Sequence, residues 1–277
     1  MLEVVERYRD RVLDGAGLRP GMTLADVGAG DGLIAFGAIA RIGSSLRVIL
    51  TDISTPLLRH AEERAVQMGT REQCSFVQGS ADKLEGLSDA SVDVVCTRAS
   101  LAYVADKSAA FREFHRVLKP GGRISISEPI LQDEAFEACG MAKLVESKPD
   151  HPNIEWLRLV SRYRAAQFPT TQEEVLLNPI TNYNERDLFR FTREAGFVNN
   201  HLEMHMDMRP SLAITWEAYL DVARHPWAPT LREILDRDFS AEERRQFERM
   251  MRPAMESGSW EQREVSAYLT AAKSLKA

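Results

Sequence analysis

Seven residues constrain this chain more than any others: Asp26-Val27-Gly28-Ala29-Gly30-Asp31-Gly32. Leu24 to Val27 is a short apolar run interrupted by one acid, and Leu33-Ile34-Ala35-Phe36 opens a stretch of helical character. Three glycines at alternate positions between a strand and a helix predict the turn of a doubly wound α/β sheet, which carries a small molecule onto a helix N-terminus. Glycine is needed where a β-carbon would hold a ligand off the backbone, and where the turn requires positive φ. The loop is neither Gly-x-Gly-x-x-Gly nor a phosphate loop. Asp26 and Asp31 would repel a pyrophosphate, so a cationic ligand suits them better. A turn that binds nothing is the competing explanation.

The next elements test that choice. Arg47-Val-Ile-Leu-Thr-Asp52-Ile53-Ser54 is a β-branched strand ending in an acid about twenty residues past the loop. That spacing crosses one βαβ unit and puts a carboxylate at the tip of the second strand, where it can accept from both hydroxyls of a ribose. Capping of the following helix, Thr55–Met68, suits Ser54 or Thr55 better. A third strand, Ser75–Gln78, runs into Gly79-Ser80-Ala81-Asp82. A backbone N–H and a carboxylate there can meet a ring nitrogen and the 6-amino group of an adenine.

The glycine loop resembles, residue for residue, the first motif of the class I S-adenosylmethionine methyltransferases, acid-x-Gly-x-Gly-x-Gly. Ser91-Val-Asp93-Val-Val-Cys-Thr97-Arg98-Ala-Ser100-Leu-Ala-Tyr103 resembles the fourth motif, and Leu118-Lys-Pro120-Gly121-Gly122 the helix-to-strand turn of the same fold. Pro120 is expected to stop the helix and the two glycines to make the turn. The motif region looks most like the branch holding quinone C-methyltransferases and arsenite methyltransferases. The vicinal cysteines of the arsenite enzymes are missing, so an O-, N-, S- or C-methyltransferase of secondary metabolism is the expectation.

The resemblance implies a Rossmann-like, seven-stranded, mostly parallel sheet of order 3-2-1-4-5-7-6, with helices on both faces and a helical cap insertion. It implies S-adenosyl-L-methionine as cofactor, S-adenosyl-L-homocysteine as product and a small-molecule acceptor. The cofactor contacts it implies are Asp26, Gly28, Gly30, Gly32, Asp52, Ile53, Ser80, Ala81, Asp82, Thr97 and Arg98. Strand-end carbonyls at Thr97 and Arg98 hold the methionine amino group, and Thr97 to Tyr103 face the methyl. No general base declares itself; Tyr103, Glu128 and His151 are the candidates.

Three regions follow: residues 1–130 as core with an N-terminal helix, 131–182 as helical cap, and 183–277 as the remaining sheet with extra helices. In the first helix Leu2, Val5, Tyr8 and Val12 make an apolar stripe, and Tyr8 and Arg9 could reach the ligand's carboxylate as a lid. In the cap His151, Trp156, Arg158, Tyr163 and Arg164 are candidate acceptor contacts. The strand Asn200–Met208 alternates His201, Glu203, His205 and Asp207 with Leu202, Met204, Met206 and Met208, and the methionines are expected in the core.

Composition excludes other classes. The 277 residues are 44% hydrophobic with a net charge of −6, and bases are interleaved with acids. Such a surface does not track a phosphate backbone, so no nucleic acid is expected. No apolar run is long enough to cross a membrane and the charged N-terminus is unlike a signal peptide, which suggests a cytoplasmic location. Cys74, Cys96 and Cys139 have no metal spacing and read as buried thiols, so no metal is expected. Two rivals stand: a methyltransferase-fold protein that binds the cofactor as a regulatory or partner subunit, and a nicotinamide oxidoreductase, which the later motifs disfavour. The C-terminal helices could mediate a homodimer.

Overall fold

The computed structural model describes residues 2–275, with side chains from residue 5 onward; the side chain of Leu2 lies outside the described residues. The chain clusters into two compact units, one of residues 1–130, 183–205 and 266–277, the other of residues 131–182 and 206–265.

The first unit begins with α1 (Leu2–Ala16), β1 (Thr23–Val27), α2 (Leu33–Ile42), β2 (Arg47–Asp52), α3 (Thr55–Gln67), β3 (Cys74–Gln78) and β4 (Val92–Arg98). It continues with α4 (Lys107–Val117), β5 (Leu118–Pro129) and, after the second unit's first segment, α8 (Glu185–Glu194). The strands β6 (Val198–Pro210) and β7 (Glu261–Ala272) run from one unit into the other. The seven strands form one sheet of order β3-β2-β1-β4-β5-β7-β6. The pairs among β1 to β5 are parallel, and β7 runs antiparallel to β5, with Pro129 opposite Ser266. The central strands are rich in buried apolar residues: Leu24, Val48, Leu50, Val94 and Cys96 are buried with Val12, Leu13, Ile34, Ile39, Leu58 and Ala61 of α1 to α3. All three cysteines are free and buried.

Local chemistry sets the boundaries. Ser54 Oγ accepts from Leu57 N at the start of α3, which also has Pro56 in its first turn. Asp106 caps α4, and Asn184 with Asp187 makes a reciprocal capping box on α8. Two expectations fail here. Pro120 does not stop the helix: α4 ends at Val117, and β5 already includes Leu118 to Gly122, with a register shift against Val92–Val94. The methionines of β6 are not core either. Met204, Met206 and Met208 are 40%, 52% and 63% exposed, because β6 is a terminal strand of the sheet.

The second unit is helical: α5 (Gln132–Ser147), α6 (Ile154–Ala165), α7 (Gln172–Leu177), α9 (Trp216–Leu220), α10 (Leu231–Asp238) and α11 (Ala241–Ser257). The helices between β6 and β7, expected with the sheet, cluster instead with residues 131–182. Their apolar stripes explain it: Phe247 and Met251 of α11, Ile234 of α10 and Trp216 of α9 are buried with Leu159 of α6. Trp156 and Tyr163 lie 5.5 Å from the Phe247 ring and are part of that core. Arg224 Nε donates to the buried Glu134 at 2.9 Å, and Arg164 lies over the Phe168 ring.

Candidate functional site

The parallel strands end together, and the loops leaving β1, β2, β3 and β4 carry the residues the motifs singled out. After β1 the chain bends back on itself: Gly28 and Ala29 N–H donate to Thr51 O, at 2.8 and 2.9 Å. Gly28, Gly30 and Gly32 all have positive φ, at 68°, 54° and 84°. Their neighbours differ. A β-carbon at Gly28 would fall 1.9 Å from Ser100 Oγ, so this glycine makes room for the β4 exit turn rather than for a ligand. A β-carbon at Gly32 would meet the Phe36 ring. At Gly30 there is nothing within 4 Å. Gly30 is the open position of the loop, and the one where a ligand can touch backbone.

Asp26 stands beneath this loop, 1% exposed. Helix α2 begins at Gly32 with no side-chain cap of its own, and Asp26 Oδ2 accepts from Ala35 N–H at 2.9 Å. The acid therefore caps the helix from a neighbouring strand. Burial pushes its carboxyl up to about 7, against the pull of the Ala35 N–H and the Arg98 charge.

Asp52, at the tip of β2, accepts from Gly30 N at 2.9 Å and from Ser54 N at 2.8 Å. It ties the glycine loop to β2 and keeps lone pairs for hydroxyl donors. Ile53 beside it is 69% exposed, an apolar surface next to a carboxylate. After β3, Ser80 Oγ donates to Asp82 Oδ1 at 2.5 Å, Ser80 O accepts from Lys83 and Leu84 N–H, and Ala81 is buried.

The β4 exit turn uses a device no motif announced. Ala99 sits in the left-handed region, φ 50°, and its N–H donates to Ser127 O. Glu128, with no exposed surface, then gathers three successive N–H groups: Ser100 and Leu101 on Oε1 at 3.0 Å, Ala102 on Oε2 at 3.2 Å. Burial raises its carboxyl, and these three bonds with the Lys107 charge oppose the rise. Lys107 is itself buried, donates to Val104 O, lies over the Tyr183 ring at 4.6 Å, and is brought down to about 8 by burial. Tyr183 is fully buried and donates to Pro129 O at 2.7 Å.

This geometry revises the candidate bases. Glu128 is a positioning residue that holds the Ser100–Tyr103 turn, with both oxygens engaged. Burial and the Glu128 charge push Tyr103 up to about 12, so its phenol keeps its proton near neutral pH. His151 Nδ1 accepts from Asn153 N at 3.1 Å. In α1, Arg9 is paired with Asp10 and Glu6, and Tyr8 stacks on Tyr268. Sequence reasoning missed Ala99, Lys107 and Tyr183; the acid closing β5 was the one visible signal.

These side chains fit an adenosyl ligand with a positive charge. Gly30 is the open cradle, Asp52 the hydroxyl acceptor, Ile53 the apolar flank, and the Thr97 hydroxyl is a buried polar atom without a partner among the described residues. The methyltransferase-domain family model matches residues 18–174. The chain belongs to that family. Within it, the sheet order is that of the class I S-adenosylmethionine-dependent methyltransferases.

This methyltransferase-domain protein is 32% identical over 131 residues to the ubiquinone/menaquinone biosynthesis C-methyltransferase UbiE of Enterobacter sp. strain 638, covering 46% of this chain and 52% of that protein. It thus spans about half the length of the curated relatives it matches. The YcgJ protein from Bacillus subtilis superposes with a TM-score of 0.59 at 15% identity, over 97% of this chain and 99% of that one. Phosphoethanolamine N-methyltransferase 2 from Haemonchus contortus, solved with S-adenosyl-L-methionine, gives 0.54 at 18%, over 97% and 52%. At such identities these two structures speak to fold alone.

Proposed function

We propose that this chain transfers a methyl group from S-adenosyl-L-methionine to a small-molecule acceptor. The observation that carries the reading is the open left-handed Gly30 whose N–H is held by Asp52, beside the exposed Ile53. Bound there, the cofactor would supply a methyl already activated by its sulfonium. The protein's task is then alignment of acceptor and methyl, which can contribute about 7–11 kcal/mol.

Asp52 receives the ribose hydroxyls, Ile53 and Ala81 flank the adenine, and Asp82 accepts from its amine. Carbonyls at Thr97 and Arg98 take the methionine ammonium, and Glu128 fixes the turn against which the methyl lies. Tyr103, held protonated, donates a hydrogen bond and does not remove a proton. With Glu128 engaged and Asp31 paired to Arg64 at 2.5 Å, these loops favour an acceptor whose nucleophile needs no base, a thiolate or a neutral amine.

Calorimetric titration with S-adenosyl-L-methionine and S-adenosyl-L-homocysteine tests the reading. Micromolar binding is expected, weakened tenfold or more in Asp52→Ala, followed by methyl transfer in an acceptor screen. Absence of binding would overturn the assignment. Tight binding without turnover on any acceptor would favour a regulatory or partner subunit instead.

A further inference from the structure

Strand β6 is 13 residues long and ends the sheet. One of its edges pairs with β7; the other has no strand beside it among the described residues. Such an edge is a template for another strand, and sheets commonly blunt it with lysine, proline or a bulge. β6 contains no lysine, and its one proline, Pro210, stands at its last position.

The direction of its backbone groups can be followed from that end. Ser211 N–H donates to Trp260 O at 2.7 Å, beside the start of β7. Backbone groups along a strand alternate in direction, so the odd-numbered residues of β6 turn their N–H and C=O toward β7. The even-numbered ones, Leu202, Met204, Met206, Met208 and Pro210, turn theirs to the open edge. Pro210, which has no N–H, falls in the outward set, where a strand tolerates proline. Among the described residues no hydrogen bond from a helix or a turn reaches the backbone of Met204, Met206 or Met208. These three side chains are also exposed. An open edge and an uncovered apolar face thus coincide on one stretch.

The sequence of β6 is complementary to itself. A second copy, related by a two-fold axis perpendicular to the sheet, joins outward groups to outward groups with the axis at residue 204, 205 or 206. Centred on His205, the ladder sets Glu203 against Asp207 of the second copy, a pair of like charges. Centred on Met204, it sets Arg209 against Asn199, whose backbone is left-handed at φ 53°. Centred on Met206, it sets Glu203 against Arg209 of the second copy and His205 against Asp207 of the second copy. Met206 then meets its own counterpart, and Met204 meets Met208. Exposed ion pairs contribute little affinity, so the charges choose the register. The backbone bonds and the flexible, polarisable methionines supply the attraction.

We propose that this chain forms a two-fold dimer through β6, antiparallel and centred on Met206, which joins two seven-stranded sheets edge to edge.

Sedimentation of the full chain over a dilution series should show a monomer–dimer equilibrium, and Met206→Lys should raise its dissociation constant tenfold or more. Circular dichroism of the variant should match that of the wild type, showing that the fold is kept. Mild oxidation should link Met206→Cys to itself, because Cα atoms of a hydrogen-bonded antiparallel pair lie about 5.5 Å apart, within the reach of a disulfide. Met204→Cys and Met208→Cys should cross-link when mixed, and neither alone. Cys74, Cys96 and Cys139 are buried, and the wild-type chain is the control for them. A chain that stays monomeric at every concentration would overturn the proposal. So would a dimer that Met206→Lys leaves intact, which would place the interface elsewhere, on the C-terminal helices for example. Cross-linking of Met204→Cys to itself would overturn the register.

Discussion

Two turns leave neighbouring strands of the same sheet and solve the same problem by different means. The turn after β1 is built from glycines at positive φ, and beneath it a buried Asp26 accepts one N–H, that of Ala35. The turn after β4 has an alanine at positive φ and a buried Glu128 that accepts three N–H groups. The first avoids strain by composition; the second holds strain in place with hydrogen bonds. A buried carboxylate is costly in proportion to how few partners it has. Burial raises both carboxyls, Asp26 up to about 7; one N–H and the Arg98 charge oppose the rise at Asp26, three N–H groups and the Lys107 charge at Glu128.

The two turns also touch, at Gly28 and Ser100, and the largest predicted effect is there. Gly28→Ala puts a methyl group 1.9 Å from Ser100 Oγ on a residue with φ 68°. Overpacking of about 1–3 kcal/mol and left-handed strain of about 1–2 kcal/mol act together, so urea unfolding should show a loss of about 2–5 kcal/mol. Adding Ser100→Gly should return the packing share and leave the conformational share. If the double variant is no better than the single, the contact between the turns is not what Gly28 serves.

Removing the carboxylate of the second turn comes next. Glu128→Leu orphans three backbone N–H groups and should cost about 3 kcal/mol by chemical denaturation. Glu128→Gln, which keeps one acceptor oxygen, should lose less stability. In a positioning role it should lower kcat for methyl transfer more than it raises the cofactor's KM. A pH–rate profile that loses a limb in Glu128→Gln would contradict the positioning role and restore Glu128 as a base.

The first turn's carboxylate is read through pH. Asp26 has a folded-state value near 7 against a reference of 3.8, so the native state holds its proton longer than the unfolded chain does. Its contribution to stability is therefore fully present below about pH 4, falls as pH rises toward 7, and is flat beyond. Asp26→Asn, which keeps an acceptor for Ala35 N–H, should remove that slope. Parallel stability curves for wild type and variant across pH 4–7 would show that Asp26 is ionised throughout.

The same contrast explains what could be read in the sequence. Gly28, Gly30 and Gly32 were legible because a glycine run between an apolar strand and a helix has few other uses, and Asp52 because one βαβ unit fixes where it lands. The sheet order was legible through the motif resemblance. Glu128 was visible as an acid near the site, but its three bonds depend on how β5 lies beside β4, and no local pattern encodes that. The β6 methionines misled because period two reports which residues share a face, not whether anything covers it. The helices between β6 and β7 were assigned to the sheet unit because sequence order says nothing about which apolar stripe meets which; Phe247, Trp156 and Tyr163 decide it.

The smallest predicted effect probes the strain directly. Ala99 at φ 50° stores about 1–2 kcal/mol that glycine would release, while glycine's greater freedom in the unfolded chain costs about 0.5–1 kcal/mol. Ala99→Gly should therefore be neutral or stabilising by up to about 1.5 kcal/mol in thermal or urea unfolding. With Glu128 intact the turn stays pinned, so kcat should change less than twofold. In the Glu128→Gln background the same substitution removes the last constraint on the turn, and the loss in kcat should exceed the product of the single effects. If Ala99→Gly alone lowers activity as far as the double variant does, the alanine, and not the carboxylate, holds the turn, and the contrast with the glycine-built turn beside it disappears.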